Sequence, residues 1–105
     1  MLDYARRALA LVRGKTRQDF DADTTLQHAL AYVVMVVGEA AYRTSTETRE
    51  RYPELPWPQI IATRHRLVHD YGNVDYVIVW GIATERLPEL VAELERIIPP
   101  ESPFA

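Results

Sequence analysis

The stretch LQHALAYVVMVVGEAA, residues 26–41, decides the fold. Its apolar residues recur every three or four positions, which is the spacing of one helix face and not the alternation of a strand. Because this helix is apolar on more than half of its circumference, we expect it to be buried by helices on several sides or shared between two subunits. Its stripe consists of Leu26, Ala29, Leu30, Val33, Val34, Val37, Ala40 and Ala41.

The chain before and after this stretch is also helical in its periodicity. A first helix with the apolar face Leu2, Ala5, Leu9 and Val12 is predicted to end at Gly14, which can adopt a left-handed conformation. Residues 15–23 form a connection, and Asp23 or Thr24 can cap the long helix. After residue 43, residues 46–51 predict one further helical turn before an extended link that contains Pro53, Pro56 and Pro58.

Two more helices complete the predicted fold. One begins near Pro58 and ends at Gly72-Asn73, and the last begins after Asp75, which is a good N-cap. Pro88 lies inside the last helix and predicts a kink there. Four main amphipathic helices with short connections predict an all-α, antiparallel four-helix bundle with a short extra helix over residues 1–98, followed by a flexible tail at 99–105.

Composition narrows the class of protein further. A chain of 105 residues that is 48% hydrophobic suits a single compact domain. The formal net charge of −3 argues against non-specific coating of nucleic acid, so any site for a polyanion must be local. The chain has no cysteine, and its longest uncharged apolar run, residues 29–37, is too short to cross a membrane. We therefore expect a cytoplasmic protein.

Residues 64–71, RHRLVHDY, are the candidate catalytic segment, because an arginine stands here within an apolar stripe. Arg64 occupies the missing turn in a series of apolar residues at helical spacing. This series consists of Trp57, Ile60, Ile61, Leu67 and Val68. A buried guanidinium must be paired or must face a cavity that binds an anion. On a continuous helix His69 lies about 140° from Arg64. A single straight helix therefore does not bring the two side chains together. Either the helix ends near Asp70 and lets His69 turn towards Arg64, or two copies of the motif meet across a dimer axis.

Arg64 and His69 suit phosphodiester chemistry. An arginine stabilises the charge that develops on phosphate oxygens, and a histidine transfers protons near neutral pH. RNA supplies its own nucleophile in the 2'-hydroxyl, so neither a metal nor another cofactor is expected. Simpler interpretations are open beside this one: Arg64 can pair with Glu39, and His69 is favoured at a helix C-terminus. His65 and His69 have the i, i+4 spacing of metal ligands, but the glutamate of an H-E-x-x-H helix is missing and no third ligand is assured. His65 more plausibly orients a neighbour or the phosphate.

The pattern Arg64-x4-His69-x-Tyr71 resembles the R-x4-H-x-Y signature of HEPN-domain toxins of the HepT type. Three flanking blocks strengthen the resemblance, which spans about residues 26–94. These blocks are VVGEAA at 36–41, YPELPW at 52–57, and VD at 74–75 followed by VW at 79–80 and LP at 87–88. Tyr32 and Met35 depart from the family, which often has Arg and Glu at these positions.

The resemblance implies an all-α, HEPN-like homodimer whose paired motifs form a metal-independent ribonuclease cleft. Arg64 and His69 would be catalytic, and His65 would take the place of a polar residue that follows the arginine. The family's partner is a nucleotidyltransferase antitoxin that transfers AMP to the motif tyrosine, here Tyr71. An adenylate there would add bulk and negative charge where RNA binds. The alternative is a non-catalytic helical dimer that recruits such a nucleotidyltransferase.

Overall fold

A computed structural model describes residues 1–67 and 73–98, and the regular structure of these residues is helical. The elements are α1 (Leu2–Val12), α2 (Arg17–Asp21), α3 (Thr24–Arg43), α4 (Thr46–Arg51), α5 (Trp57–Leu67), α6 (Tyr76–Gly81), a π-helical turn (Ile82–Arg86) and α7 (Leu87–Ile97). The predicted all-α class is therefore confirmed. The antiparallel arrangement, the domain bounds and the homodimer stay predictions.

Helix α3 is the centre of the structure. It packs against α1, α2, α5 and α6, and it also contacts the π-helical turn. Leu30, Val34 and Ala41 are fully buried in these contacts. The wide apolar surface that the sequence predicted is thus covered to a large extent by helices of the same chain, as expected of a helix that is apolar on most of its faces.

The helix ends follow the local chemistry of their residues. Gly14 has φ +72°, the left-handed conformation predicted for it after α1. Asp23 caps α3 by accepting a hydrogen bond from the backbone N–H of Leu26 at 2.9 Å. Asp75 caps α6 by accepting a hydrogen bond from the backbone N–H of Val77 at 3.1 Å. These predicted caps are confirmed.

The predicted connection over residues 15–23 contains a short helix, α2. Thr16 and Asp19 form a reciprocal capping box, in which each side chain accepts a hydrogen bond from the other residue's backbone N–H. The helix buries Phe20 completely, and the Phe20 ring lies 5.1 Å from the Trp80 ring, centroid to centroid. The capping box and this aromatic contact explain why so short a segment is helical.

The last predicted helix is interrupted by a π-helical turn before Pro88. The N–H of Leu87 donates to the carbonyl of Ile82, five residues earlier, and α7 then begins with Pro88 as its second residue. Proline lacks the N–H that an unbroken α-helix needs in its interior but is tolerated in a first turn. The wider turn therefore gives Pro88 a position that it can occupy without disrupting a helix interior.

Candidate functional site

Arg64 lies at the edge of the core face of α5, and its side chain reaches solvent. Four residues of α5 are buried, namely Trp57, Ile60, Thr63 and Leu67, whereas the side chain of Arg64 is 62% exposed. The prediction that Arg64 completes the apolar stripe is therefore wrong, because Thr63 takes that turn of the core face. Arg64 consequently avoids the cost of burying a charge.

Gly38 determines how closely α3 approaches this part of α5. A Cβ atom at Gly38 would lie 3.2 Å from the carbonyl oxygen of Ile60 and 3.5 Å from the backbone nitrogen of Arg64. Only glycine allows the two backbones to come this close without displacement. The close contact places the next residue of α3, Glu39, beside Arg64.

The Glu39 carboxylate bridges two arginines from two helices. Its Oε2 accepts a hydrogen bond from Nη1 of Arg64 at 2.8 Å, and its Oε1 accepts one from Nε of Arg43 at 2.8 Å. Each carboxylate oxygen thus has a separate guanidinium partner. The pairing of Arg64 with Glu39 was one of the predicted contacts, whereas Arg43 was not singled out, although its i, i+4 spacing from Glu39 is the signal that could have identified it.

Electrostatics keep this carboxylate ionised. The hydrogen bond from Arg43 is the largest influence that lowers the pKa of Glu39, and the positive charges of Arg64 and Arg43 lower it further against an opposing effect of desolvation. The Glu39 side chain remains 33% exposed. The Arg43–Glu39–Arg64 cluster is therefore a set of fixed charges at the surface, open to a ligand.

Of the other predicted site residues, the structure describes His65. His65 is exposed on α5 beside Arg64. His69 and Tyr71 lie outside the described residues, and so does the region where α5 was predicted to end. The chain on either side of them is joined, since the backbone N–H of Asp75 donates to the carbonyl of Leu67 at 2.7 Å. Among the predicted site residues, the structure brings Arg64 and Glu39 into contact.

Residues 1–67 and 73–98 offer neither a cluster of metal ligands nor a membrane-spanning helix. Within these ranges no three His, Cys, Asp or Glu side chains lie close enough together to hold a metal ion. In the same part of the chain, no helix has both the length and the apolar character needed to cross a membrane.

Helix α5 also borders an open cleft of about 790 Å³, which α3 lines as well through Val34 and Val37. Thr63 and Arg66 line it from α5, Arg86 from the π-helical turn, and Leu87 and Glu93 from α7. Arg66 is exposed like Arg64. Two arginines two residues apart on one helix therefore have different surroundings.

The fold and the cluster define an all-α protein that presents an ion-paired arginine near the end of a helix. The sequence model of the family described as "Ribonuclease HepT-like" matches residues 1–97. The chain therefore belongs to the HepT-like ribonuclease family.

Curated relatives agree with this assignment. A Methanocaldococcus jannaschii protein named "Putative RNase MJ1216" is 30% identical over 98 residues, which cover 93% of this chain and 81% of the relative. A Caldanaerobacter subterraneus protein named "Putative RNase TTE0752" is 32% identical over 90 residues, which cover 86% of this chain and 80% of the relative. A Thermococcus cleftensis protein named "Probable ribonuclease HepT" is 28% identical over 100 residues, covering 91% of each chain. No solved structure matches the chain.

Proposed function

We propose that this protein is the toxin of a toxin–antitoxin module and acts as a metal-independent endoribonuclease. The observation that carries the proposal is the exposed Arg64 guanidinium, which Glu39 holds through Nη1 at 2.8 Å. Nε and Nη2 of Arg64 donate no hydrogen bond to any atom of residues 1–67 or 73–98, so they can bind a phosphate. Membership of a ribonuclease family supports RNA as the substrate.

The proposed reaction uses the 2'-hydroxyl of RNA. His69 accepts its proton, the 2'-oxygen forms a bond to phosphorus, and the bond from phosphorus to the 5'-oxygen breaks. The leaving 5'-oxygen takes up the proton from His69, so the products are a 2',3'-cyclic phosphate and a 5'-hydroxyl. Arg64 stabilises the negative charge that grows on the non-bridging oxygens. Glu39 and His65 support Arg64 and the phosphate from their positions beside it.

Cleavage of RNA in EDTA tests this proposal. Wild-type protein, confirmed by mass as unmodified, is compared with His69→Ala and with His28→Ala, which removes an exposed histidine of α3 as a control. We expect wild type and H28A to cleave, and H69A to be inactive. If the unmodified wild type cleaves none of several RNAs, the alternative of a non-catalytic subunit that recruits a nucleotidyltransferase is favoured.

We further propose that the active form is a homodimer in which Arg64 and His69 of one site come from different copies. Their separation of about 140° on a continuous helix supports this arrangement. Arg64→Ala and His69→Ala chains, each inactive alone, are unfolded, mixed and refolded together. Random pairing should restore about a quarter of wild-type activity, because half of the dimers then hold one intact site of two. No restored activity, with mixed dimers verified by mass, would assign both residues to one chain.

The proposed regulation is transfer of AMP to Tyr71 by a nucleotidyltransferase antitoxin. The phenol oxygen would form a bond to the α-phosphorus of ATP, releasing pyrophosphate and the phenolic proton. The resulting negative charge would repel RNA from Arg64. Incubation with the nucleotidyltransferase and ATP should add one adenylate to wild type and to the control Tyr76→Phe, but none to Tyr71→Phe. Adenylation of Y71F would move the modification to another residue.

A further inference from the structure

A second arginine, Arg43, contacts the carboxylate that holds Arg64. Nε of Arg43 and Nη1 of Arg64 each lie 2.8 Å from a different oxygen of Glu39. Arg43 and Glu39 are one turn apart on α3, whereas Arg64 belongs to α5. Glu39 therefore links α3 to α5 through Arg64 while it also accepts a hydrogen bond from Arg43.

A glutamate alone does not hold a defined orientation at an exposed position. Three side-chain torsions and an exposed fraction of 33% would allow the Glu39 carboxylate to rotate away from Arg64. The hydrogen bond from Arg43 to Oε1 removes much of this freedom and leaves Oε2 directed at Arg64. Orienting a group that contacts substrate requires such support from residues behind it.

We propose that Arg43 is a positioning residue, which fixes the Glu39 carboxylate so that Arg64 presents Nε and Nη2 to an RNA phosphate. The inference rests on the proposed function, because it assigns Arg64 the role of phosphate ligand. It gives Arg43 no contact with RNA. Its Nε points to Glu39, although the side chain as a whole is 77% exposed.

NMR of the Arg64 guanidinium tests the positioning without any measurement of activity. Arg43→Ala and Glu39→Gln should change the Arg64 side-chain resonances in the same way, towards those of a freely rotating arginine. Arg43→Lys should retain most of the wild-type signature, because a lysine at this spacing can still pair with Glu39. Arg17→Ala is the matched control, since Arg17 Nε also lies 2.8 Å from a carboxylate one turn away, that of Asp21 in α2. Wild-type resonances of Arg64 in R43A would overturn the proposal.

Kinetics distinguish a positioning residue from a second phosphate ligand. We expect R43A to lower kcat about tenfold with little change in KM, and R43A/E39Q to be no slower than E39Q, because both act through one contact. A phosphate ligand would instead reduce the salt dependence of RNA binding, lowering the slope of log K against log salt by about one unit. That change of slope would contradict the positioning role of Arg43. A double variant R43A/E39Q whose loss of kcat equals the two single losses combined would contradict it as well. If the wild type cleaves no RNA, the proposed function fails while the resonances still decide whether Arg43 orients Arg64.

Discussion

Arg64 and Arg66 lie about 160° apart around α5, and their surroundings on these two sides of the helix differ. On one side, Gly38 brings the backbone of α3 into contact with α5, and Arg64 is hydrogen-bonded to Glu39. Arg66 instead lies at an open cleft of about 790 Å³ that α3, α5 and α7 line together. Both arginines are exposed, and only His65 separates them in the sequence.

The environment of an arginine, more than its exposure, therefore decides whether it can hold a phosphate in a fixed position. Among residues 1–67 and 73–98, Arg64 has a carboxylate at 2.8 Å, while no carboxylate lies within 4.0 Å of the Arg66 guanidinium. A fixed guanidinium loses less conformational freedom when it binds a phosphate than one that rotates freely. The α3 side is therefore where we place the chemistry.

Replacing each arginine by alanine is the strongest test of the comparison. Both variants lose one positive charge from an exposed position of the same helix, so a general attraction of RNA would be weakened equally. We expect R64A to lower kcat/KM for RNA cleavage by a factor of about 10² to 10³, which is typical of a lost transition-state donor. R66A should stay within about threefold of wild type, because it loses only long-range attraction.

Thermal unfolding of both variants, followed by circular dichroism, controls for loss of structure. Equal losses of activity in folded R64A and R66A would contradict the distinction between the two sides of α5. They would indicate that the charge of the helix, and not the Glu39-bound arginine, attracts the substrate.

The helix contact itself can be tested with two glycines. Gly81 has helical torsions, and a methyl group there would have no neighbour within 4 Å among the described residues, apart from the adjoining residues and backbone of its own helix. Gly81→Ala should therefore stabilise the protein by about 0.5–1 kcal/mol. Gly38→Ala gains the same helical preference but forces its methyl group to 3.2 Å from a backbone oxygen, and we expect a net loss of about 1 kcal/mol. Urea unfolding measures both changes. Equal stabilisation by the two substitutions would mean that α3 and α5 can separate without cost.

Sequence alone predicted those features that depend on neighbouring residues. Gly14, Asp23 and Asp75 end or begin helices as predicted, because a positive φ or a cap involves only the adjacent turn. The helix α2 was missed because residues 15–23 contain only one large apolar residue, Phe20, and therefore have no periodic face.

The site depended on contacts that periodicity does not contain. Thr63 and Arg64 lie three and four positions after Ile60, and both spacings are compatible with one helix face, so the sequence does not determine which one is buried. The contact of Arg43 with the Glu39–Arg64 pair was missed for a similar reason. Its pairing with Glu39 is an ordinary i, i+4 contact, and its link to Arg64 exists only because Gly38 lets α5 approach.

The smallest expected effect concerns the charge of Glu39. Because the Arg43 hydrogen bond, with both arginine charges, lowers the pKa of Glu39 below its ordinary value of 4.5, the ionised form stabilises the folded state. This contribution is fully present above pH 4.5 and is lost as the pH falls through the lowered pKa in the folded state. The melting temperature of wild type should therefore exceed that of Glu39→Gln near pH 7, and the difference should shrink in acid and in high salt. Glu47→Gln, at an exposed position of α4, is the control. A difference that stays constant from pH 7 to pH 3 would mean that the carboxylate charge does not join α3 to α5, and that shape alone holds the two helices together.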